Sequence, residues 1–143
     1  VGAELGAEEN GGIFYTPHIA VRDGSMASAL IADILARTKQ PLSKLLAILP
    51  AYQIAKEKIP CPNHLKRHVI DVLRERTDKY NPETVDGVKI WFDDGTSLLL
   101  RPSGTEPIFR VFAEAESPNV AAKLADEYKL IVAEIIKEKS GGV

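Results

Sequence analysis

The chain has 143 residues, of which 45% are hydrophobic and 27% are charged, a composition typical of a soluble globular protein. The length allows one ordinary domain, or one small domain with part of another. The net charge of −2 argues against nucleic acid as a partner, because a phosphate backbone binds to a concentrated positive face. A single cysteine, Cys61, excludes an intramolecular disulfide. No stretch approaches the roughly 18 apolar residues of a membrane span, so we expect no membrane contact and a cytoplasmic location.

The N-terminal stretch begins inside a glycine-rich segment, residues 2–6, with no preceding element to anchor it. This start predicts that the chain is a piece of a longer protein. The apolar run at residues 12–16 predicts a strand, which places Glu8, Glu9 and Asn10 on the loop before it. Carboxylates and amides on such a loop can hydrogen-bond vicinal sugar hydroxyls, although a solvated acidic loop has the same composition.

Two amphipathic helices are predicted next. Asp23 is the expected N-cap of the first helix, and Pro41 the expected start of the second, which stops at Pro50. Both helices have an apolar stripe at helical spacing, which predicts core-facing sides. The stripes consist of Met26, Ala27, Leu30, Ile31, Ile34 and Leu35 in the first helix and Leu42, Leu45, Leu46 and Leu49 in the second. A domain boundary is expected here, which gives domains 1–50 and 51–143.

The second predicted domain reads as strand, helix, three antiparallel strands and helix. Its first strand runs from Tyr52 to Ile59, and Asp93-Asp94-Gly95 is a hairpin signal. Ser117-Pro118 predicts the start of the final helix. The predicted buried face of that helix comprises Val120, Leu124, Tyr128, Ile131, Val132, Ile135 and Ile136. The apolar faces of both amphipathic helices have to be buried, and one face of a sheet can bury them. The prediction is therefore an α+β domain with an antiparallel sheet packed on two helices, and a loop at one edge of the sheet.

That loop has the sequence Arg101-Pro102-Ser103-Gly104-Thr105-Glu106-Pro107 and has the composition of an oxyanion site. Arg101 offers a planar fork of donors, and Ser103 and Thr105 offer hydroxyls. Gly104 allows backbone N–H groups to approach a ligand closely. Arg110, on the next strand, is a further candidate cation, although an ion pair with Glu114 is equally consistent with the sequence. The same loop composition is also typical of an ordinary turn.

The Arg-Pro-Ser-Gly-Thr-Glu-Pro run, standing before Ile-Phe-Arg-Val-Phe, resembles the phosphate-binding loop in the last domain of the α-D-phosphohexomutases. This family includes the phosphoglucomutases, phosphomannomutases and phosphoglucosamine mutases. A second stretch, Gly6-Ala7-Glu8-Glu9-Asn10-Gly11-Gly12, is similar to the sugar-recognition loop of the family's third domain. By this resemblance Glu8 and Asn10 bind the sugar, although many members have a histidine where this chain has Gly12. The resemblance covers nearly the whole chain.

The resemblance implies reversible transfer of phosphate between the 1- and 6-positions of a hexose phosphate, through hexose 1,6-bisphosphate and an enzyme phosphoserine, assisted by Mg²⁺. It implies that residues 1–50 are the last part of an α/β sugar-binding domain. Residues 51–143 would then hold the non-reacting phosphate. The family's phosphoserine loop and its Asp-Gly-Asp-Gly-Asp metal loop do not occur in these 143 residues. No catalytic or metal-binding residue is therefore expected here, and the chain alone is expected to be inactive without the N-terminal domains of the same protein.

Three questions stay open from the sequence. The hexose is not specified, because glucose, mannose and glucosamine phosphates differ at C2 and the groups of Glu8-Glu9-Asn10 suit each of them. A stand-alone binding or protein-interaction module that uses an exposed sheet face is an alternative function. It predicts that Arg101→Ala leaves binding unchanged. Nucleic-acid binding through the sheet is disfavoured by the net charge and by the absence of interleaved basic and aromatic residues on a strand face.

Overall fold

The computed structural model describes residues 2–8 and 11–141. The chain divides into two compact units, unit 1 at Val1–Leu49 and unit 2 at Pro50–Val143. A search of the described residues for a helix with the length and apolar character needed to cross a membrane finds none.

Unit 1 begins with a short antiparallel hairpin. Strand β1 is Leu5–Ala7 and strand β2 is Ile13–Tyr15, with Gly6 opposite Phe14. The strand at β2 was predicted, whereas β1 lies in the glycine-rich segment that gave no strand signal. The Thr16 hydroxyl closes the open end of the hairpin by donating to the carbonyl of Ala3 at 3.1 Å. Glu8, one of the two predicted sugar contacts, therefore comes directly after β1.

Helix α1, Gly24–Thr38, starts at the predicted cap. The Asp23 Oδ1 accepts the backbone N–H groups of Ser25 at 2.9 Å and Met26 at 3.0 Å, which satisfies two donors of the first turn. These hydrogen bonds, that from Met26 foremost, lower the pKa of the Asp23 carboxyl. At the other end Lys39 adopts a left-handed conformation with φ of 54°, which stops the helix. The cap prediction is confirmed.

The predicted core faces of the two N-terminal helices are not buried. Neither α1 nor the short helix α2, Leu42–Leu46, contains a buried residue among those described. Ile34 is 48% exposed and Leu46 is 55% exposed. Unit 1 offers these apolar stripes only two strands of three residues each, which is too little surface to cover them. The expectation of a packed core for this part is therefore wrong within the described chain.

Unit 2 has the predicted α+β architecture, with the predicted order of elements. Its four strands form one antiparallel sheet in the spatial order β3-β6-β5-β4. The strands are β3 Gln53–Pro60, β4 Val88–Trp91, β5 Ser97–Pro102 and β6 Ile108–Ala115, and the helices are α3 Lys66–Thr77 and α4 Pro118–Ser140. Single 3₁₀ turns flank α3 at Asn63–Leu65 and Asp78–Tyr80.

One face of the sheet packs on both helices. Along β6 the side chains alternate, with Phe109 and Val111 buried and Arg110 and Phe112 only partly buried on the second face. The buried face joins α3 and α4 in a single core cluster, which includes Val69, Leu73, Val88, Ile90, Leu98, Leu100, Phe109, Val111, Val132 and Ile135. Within unit 2 the second face carries no helix in the part of the chain that the structure describes.

Helix α4 contacts the sheet through small residues as well as large ones. Tyr128, Val132 and Ile135 are buried as predicted, but Val120 is 44% exposed. Ala121 and Ala125 are buried in its place, 1% and 2% exposed. Alanine allows the helix backbone to approach the sheet closely. A prediction that considers only large apolar side chains does not identify these two positions as buried. The predicted face is therefore rotated slightly from the real one.

The candidate loop joins β5 to β6, which are the two central strands of the sheet. The prediction had placed it at one edge of the sheet. Its actual position is at one end of the sheet, between the central strands, because β3 pairs with β6 and covers that side. Side chains from both neighbouring strands therefore flank the loop.

Candidate functional site

Ser103 shapes the β5–β6 loop from within. Its backbone N–H donates to the carbonyl of Ile108 at 3.0 Å, and its Oγ accepts the N–H of Glu106 at 3.1 Å. The N–H of Thr105 also points to this oxygen, at 3.4 Å. Ser103 is a buried polar residue with only 4% of its surface exposed, and the Nη2 of Arg110 on the next strand also points to its Oγ, at 3.4 Å. The structure thus gives this predicted phosphate contact a second, structural role.

Carbonyl groups of the loop are held from the side of α3. The Nζ of Lys66 donates to the carbonyls of Ser103 and Glu106, both at 2.6 Å, and the backbone N–H of Cys61 donates to the carbonyl of Pro107 at 2.8 Å. Sequence reasoning gave Lys66 no role at the loop. It missed the contact because the partners are 37 and 40 residues away, and no local pattern reports such a distance.

The side of the loop that faces away from Lys66 exposes hydrogen-bond donors. No peptide bond of the described chain is cis, so the carbonyl of Ser103 and the N–H of Gly104 point in opposite directions from their shared peptide. Because the carbonyl faces Lys66, the Gly104 N–H faces away from it. Within residues 11–141 neither this N–H nor the Thr105 hydroxyl has a hydrogen-bond partner, and both residues are exposed. No heavy atom outside its chain neighbours lies within 4 Å of a Cβ built at Gly104, so the space above the loop is open.

Two arginines lie on the strands that enter and leave the loop. Arg101 on β5 and Arg110 on β6 are cross-strand partners in the sheet. Arg101 Nη1 lies 3.0 Å from Asp86 Oδ2, and Arg110 Nη2 lies 2.8 Å from Glu106 Oε2. The carboxylate beside Arg110 is thus Glu106 of the loop, not Glu114 of its own strand, which was the pairing weighed from the sequence. The Nε atoms of both arginines are buried and have no hydrogen-bond partner in the described chain.

The arginine pair belongs to a wider basic row. Lys58 on β3 lies opposite Arg110, so three adjacent strands place a cation at the same level of the sheet.

Gly87, in the segment before β4, lies close to Arg101 and has a φ of 103°. A Cβ added at Gly87 would lie 2.3 Å from the carbonyl oxygen of Leu100 and 2.9 Å from the Cβ of Arg101. Only glycine fits this close approach to the base of Arg101.

The second face of the sheet also combines basic and aromatic side chains. Phe112 lies opposite Lys56 and next to the level of Arg110, and the Nζ of Lys89 lies 4.0 Å from the ring centre of Trp91. The statement that no strand face interleaves basic and aromatic residues is therefore wrong. Lys89 and Trp91, like Arg110 and Phe112, are two residues apart on one strand, so strand alternation alone places each pair on one face, and the sequence prediction overlooked this.

The predicted sugar loop in unit 1 is described only in part. Glu8 follows β1, and its backbone N–H donates to the carbonyl of Gly12 at 2.8 Å. Its Oε2 accepts from Arg22 Nη1 at 3.1 Å, a partner that the sequence reading missed because the two residues are 14 positions apart. Asn10, the other predicted sugar contact, lies outside the described residues. The Glu8 carboxylate is thus an acceptor oriented by a neighbouring cation.

Across residues 2–8 and 11–141, no group of three or more His, Cys, Asp or Glu side chains is arranged to hold a metal ion.

Comparisons with known proteins agree on one family. The model for the phosphoglucomutase/phosphomannomutase C-terminal domain matches residues 50–131, and the model for alpha/beta/alpha domain III of the same family matches residues 1–52. A solved structure of a phosphoglucomutase/phosphomannomutase family protein from Burkholderia thailandensis superposes with a TM-score of 0.70 at 27% sequence identity. That match covers 99% of this chain and 30% of the other.

Curated relatives give the same result. A probable phosphoglucosamine mutase of Methanopyrus kandleri is 38% identical over 96% of this chain and 30% of its own length. A phosphoglucosamine/phosphogalactosamine mutase of Sulfurisphaera tokodaii is 41% identical over 91% of this chain and 29% of its own length. A phosphoglucomutase/phosphomannomutase of Thermococcus kodakarensis is 42% identical over 82% of this chain and 26% of its own length. The chain thus spans about 30% of the length of the first two relatives. It belongs to the phosphoglucomutase/phosphomannomutase family, in which it corresponds to part of domain III followed by the C-terminal domain.

Proposed function

We propose that the β5–β6 loop binds the non-reacting phosphate of a hexose phosphate, and that Glu8 and Asn10 contact the sugar hydroxyls. The observation that carries the proposal is the cross-strand pair Arg101 and Arg110 on the strands that enter and leave the loop, together with the N–H of Gly104 that points away from Lys66. Guanidinium groups and backbone N–H groups are the donors that phosphate oxygens prefer in proteins. The Thr105 hydroxyl adds a donor on the same exposed side.

For the whole protein we propose interconversion of hexose 1-phosphate and hexose 6-phosphate through hexose 1,6-bisphosphate. The names of the relatives support a sugar phosphate as substrate. The phosphoserine and the Mg²⁺ ligands are assigned to the other domains of the protein, because this chain spans under a third of its relatives and lacks both motifs. The chain alone is therefore proposed to be inactive. A single buried thiol with no disulfide partner, Cys61, is consistent with the proposed cytoplasmic location.

Binding a phosphate that does not react contributes to such a reaction by orientation. A clamp on one end of the sugar places the other end at the reacting group, and so converts remote binding energy into a lower barrier. The non-reacting phosphate is at C1 of the sugar in one direction of the reaction and at C6 in the reverse direction, so the same loop has to bind both. Donors from Arg101, Gly104 and Thr105 recognise the phosphate group itself, which both sugar phosphates share.

The test is an NMR titration of this chain with inorganic phosphate and with glucose 1,6-bisphosphate. We expect chemical-shift changes centred on the amides of Ser103, Gly104 and Thr105. Arg101→Ala should weaken binding about tenfold or more, because it removes a charge-assisted donor pair. Arg67→Ala is the matched control, since Arg67 is an exposed arginine of α3 that pairs with Asp71. Equal affinities in both variants would contradict the proposal.

A second candidate function is a binding or protein-interaction module. The observation that favours it is the second face of the sheet, where Trp91 is 54% exposed and Ile54 is 45% exposed. This alternative predicts that Arg101→Ala leaves partner binding unchanged, whereas Trp91→Ala reduces it. The two variants therefore separate the two functions in one series of measurements.

A further inference from the structure

Lys66 differs from the two arginines near the loop because it contacts the loop backbone. It is the first residue of α3 and is half-buried, and its Nζ lies 2.6 Å from the carbonyl oxygens of both Ser103 and Glu106. These two carbonyls lie on either side of Gly104 and Thr105 in the chain. An ammonium group has three donors, so one side chain ties both ends of that segment to the helix.

The charge of Lys66 has no carboxylate beside it. Arg101 pairs with Asp86 and Arg110 pairs with Glu106, whereas Lys66 makes no ion pair with any residue that the structure describes. Its two partners are neutral carbonyls. A full positive charge therefore lies directly behind the loop, on the side opposite the exposed donors, where its field acts across a partly buried, weakly screened path.

The hydrogen bond from Lys66 also fixes the orientation of the Ser103–Gly104 peptide. A peptide unit is planar, so the position of the Ser103 carbonyl determines where the Gly104 N–H points. Without a donor at the Lys66 position, that carbonyl would lack a partner within the described chain, and the peptide could rotate toward solvent. Rotation would turn a carbonyl, which repels an anion, toward the space where the N–H now points.

We propose that Lys66 is a positioning residue of the phosphate loop. It orients the Ser103–Gly104 peptide so that the Gly104 N–H faces the ligand, and it adds a positive charge behind the loop without touching the ligand. This inference rests on the proposed phosphate-binding function. It makes that function depend on Lys66, a residue of helix α3. Lys66→Met keeps the apolar stem and removes the charge and the donors. Lys66→Arg keeps both.

The first measurement needs no ligand. Heteronuclear NOE values of the Gly104 and Thr105 amides report fast backbone motion. We expect lower values in Lys66→Met and at least partial restoration in Lys66→Arg. Lys123→Met is the matched control, because Lys123 is an exposed lysine of α4 and its loss changes the net charge equally. Unchanged core resonances show that each variant is folded. Unchanged NOE values in Lys66→Met would overturn the inference.

The second measurement is the dissociation constant for inorganic phosphate. Lys66→Met is expected to raise it about tenfold, and Lys123→Met by about twofold at most. If the unsubstituted chain and Lys66→Met bind equally while Arg101→Ala does not bind, the positioning role is wrong and the proposed function stands. If the unsubstituted chain does not bind phosphate at all, the proposed function fails. The NOE values then decide alone whether Lys66 shapes the loop.

Discussion

Arg101 and Arg110 lie directly opposite each other on the two central strands of the sheet. Two like charges in this position repel each other, and each has a carboxylate within 3.0 Å, Asp86 for Arg101 and Glu106 for Arg110. These carboxylates offset the repulsion in the free protein. A phosphate bound between the arginines would compete with them for the same guanidinium donors.

This competition predicts that Asp86→Asn strengthens phosphate binding. The Asp86 side chain is 70% exposed, so its ion pair with Arg101 is worth about 1 kcal/mol at most, and we expect the dissociation constant to fall up to about fivefold. Isothermal titration with inorganic phosphate measures the change. Asp71→Asn changes the net charge equally but acts on the pair with Arg67 on α3. The same gain in both variants would mean that only overall charge matters.

Gly104 is expected to be required by the ligand and not by the fold. It has no positive φ, and a Cβ would meet no atom within 4 Å. Gly104→Ala should therefore change the free energy of unfolding by no more than about 0.5 kcal/mol. Gly104→Val should reduce phosphate affinity more than Gly104→Ala, because the larger side chain fills more of the space above the loop. Urea denaturation and phosphate titration of both variants test this. Full affinity in Gly104→Val would place the ligand elsewhere.

Gly87 is expected to be required by the fold. Its φ of 103° is strained for any side chain, and a Cβ would lie 2.3 Å from the Leu100 carbonyl oxygen. We expect Gly87→Ala to destabilise unit 2 by about 2 kcal/mol or more, in the range of strained and overpacked substitutions. The measurement is urea denaturation, with Gly104→Ala as the unstrained glycine control in the same unit. Similar unfolding midpoints for the two variants would show that the segment before β4 relaxes without cost.

Tyr128 is expected to make unit 2 sensitive to high pH. Burial raises the pKa of its phenol from 10 to about 12, with smaller contributions from Tyr80 and Glu127. Because the folded state holds this proton more tightly than the unfolded state, stability is fully present below about pH 10 and falls as the pH rises toward 12. Thermal unfolding at increasing pH measures the fall, and alkaline absorbance titration follows the phenol. Tyr128→Phe should show a smaller fall, and an unchanged pH dependence would contradict the assignment.

The sheet of unit 2 was predictable because strands repeat every two residues. The alternation of Phe109, Val111 and Ala113 identifies a buried face without any knowledge of its partners. The same logic fails for α1 and α2, where the apolar spacing was read correctly but the described chain has nothing to cover Ile34 or Leu46. Periodicity predicts which side of an element is apolar, and burial depends also on a second surface.

The candidate site was predicted as a set of residue types and not as a set of contacts. Arg101, Ser103, Gly104 and Thr105 were chosen for their chemistry, and the structure places Arg101 on β5 and the other three in the loop that follows. Their partners come from other elements. Asp86 precedes β4 and Lys66 begins α3, so neither contact leaves a local sequence signal. Cross-strand register, which brings Arg110 opposite Arg101, likewise follows from tertiary pairing.

The bonds from Lys66 to Ser103 and Glu106 span 37 and 40 residues. They form only when α3 has docked on the sheet, whereas the β5–β6 hairpin closes through local pairing. The loop therefore acquires its final shape late in folding, after the chain segments on both sides of it have found each other. A synthetic peptide with the β5–β6 sequence would contain each side chain of the loop and still lack the groups that hold its carbonyls. The proposed phosphate-binding surface would then be a product of the assembled domain, and we expect folding intermediates that lack docked helices to have no affinity for anions.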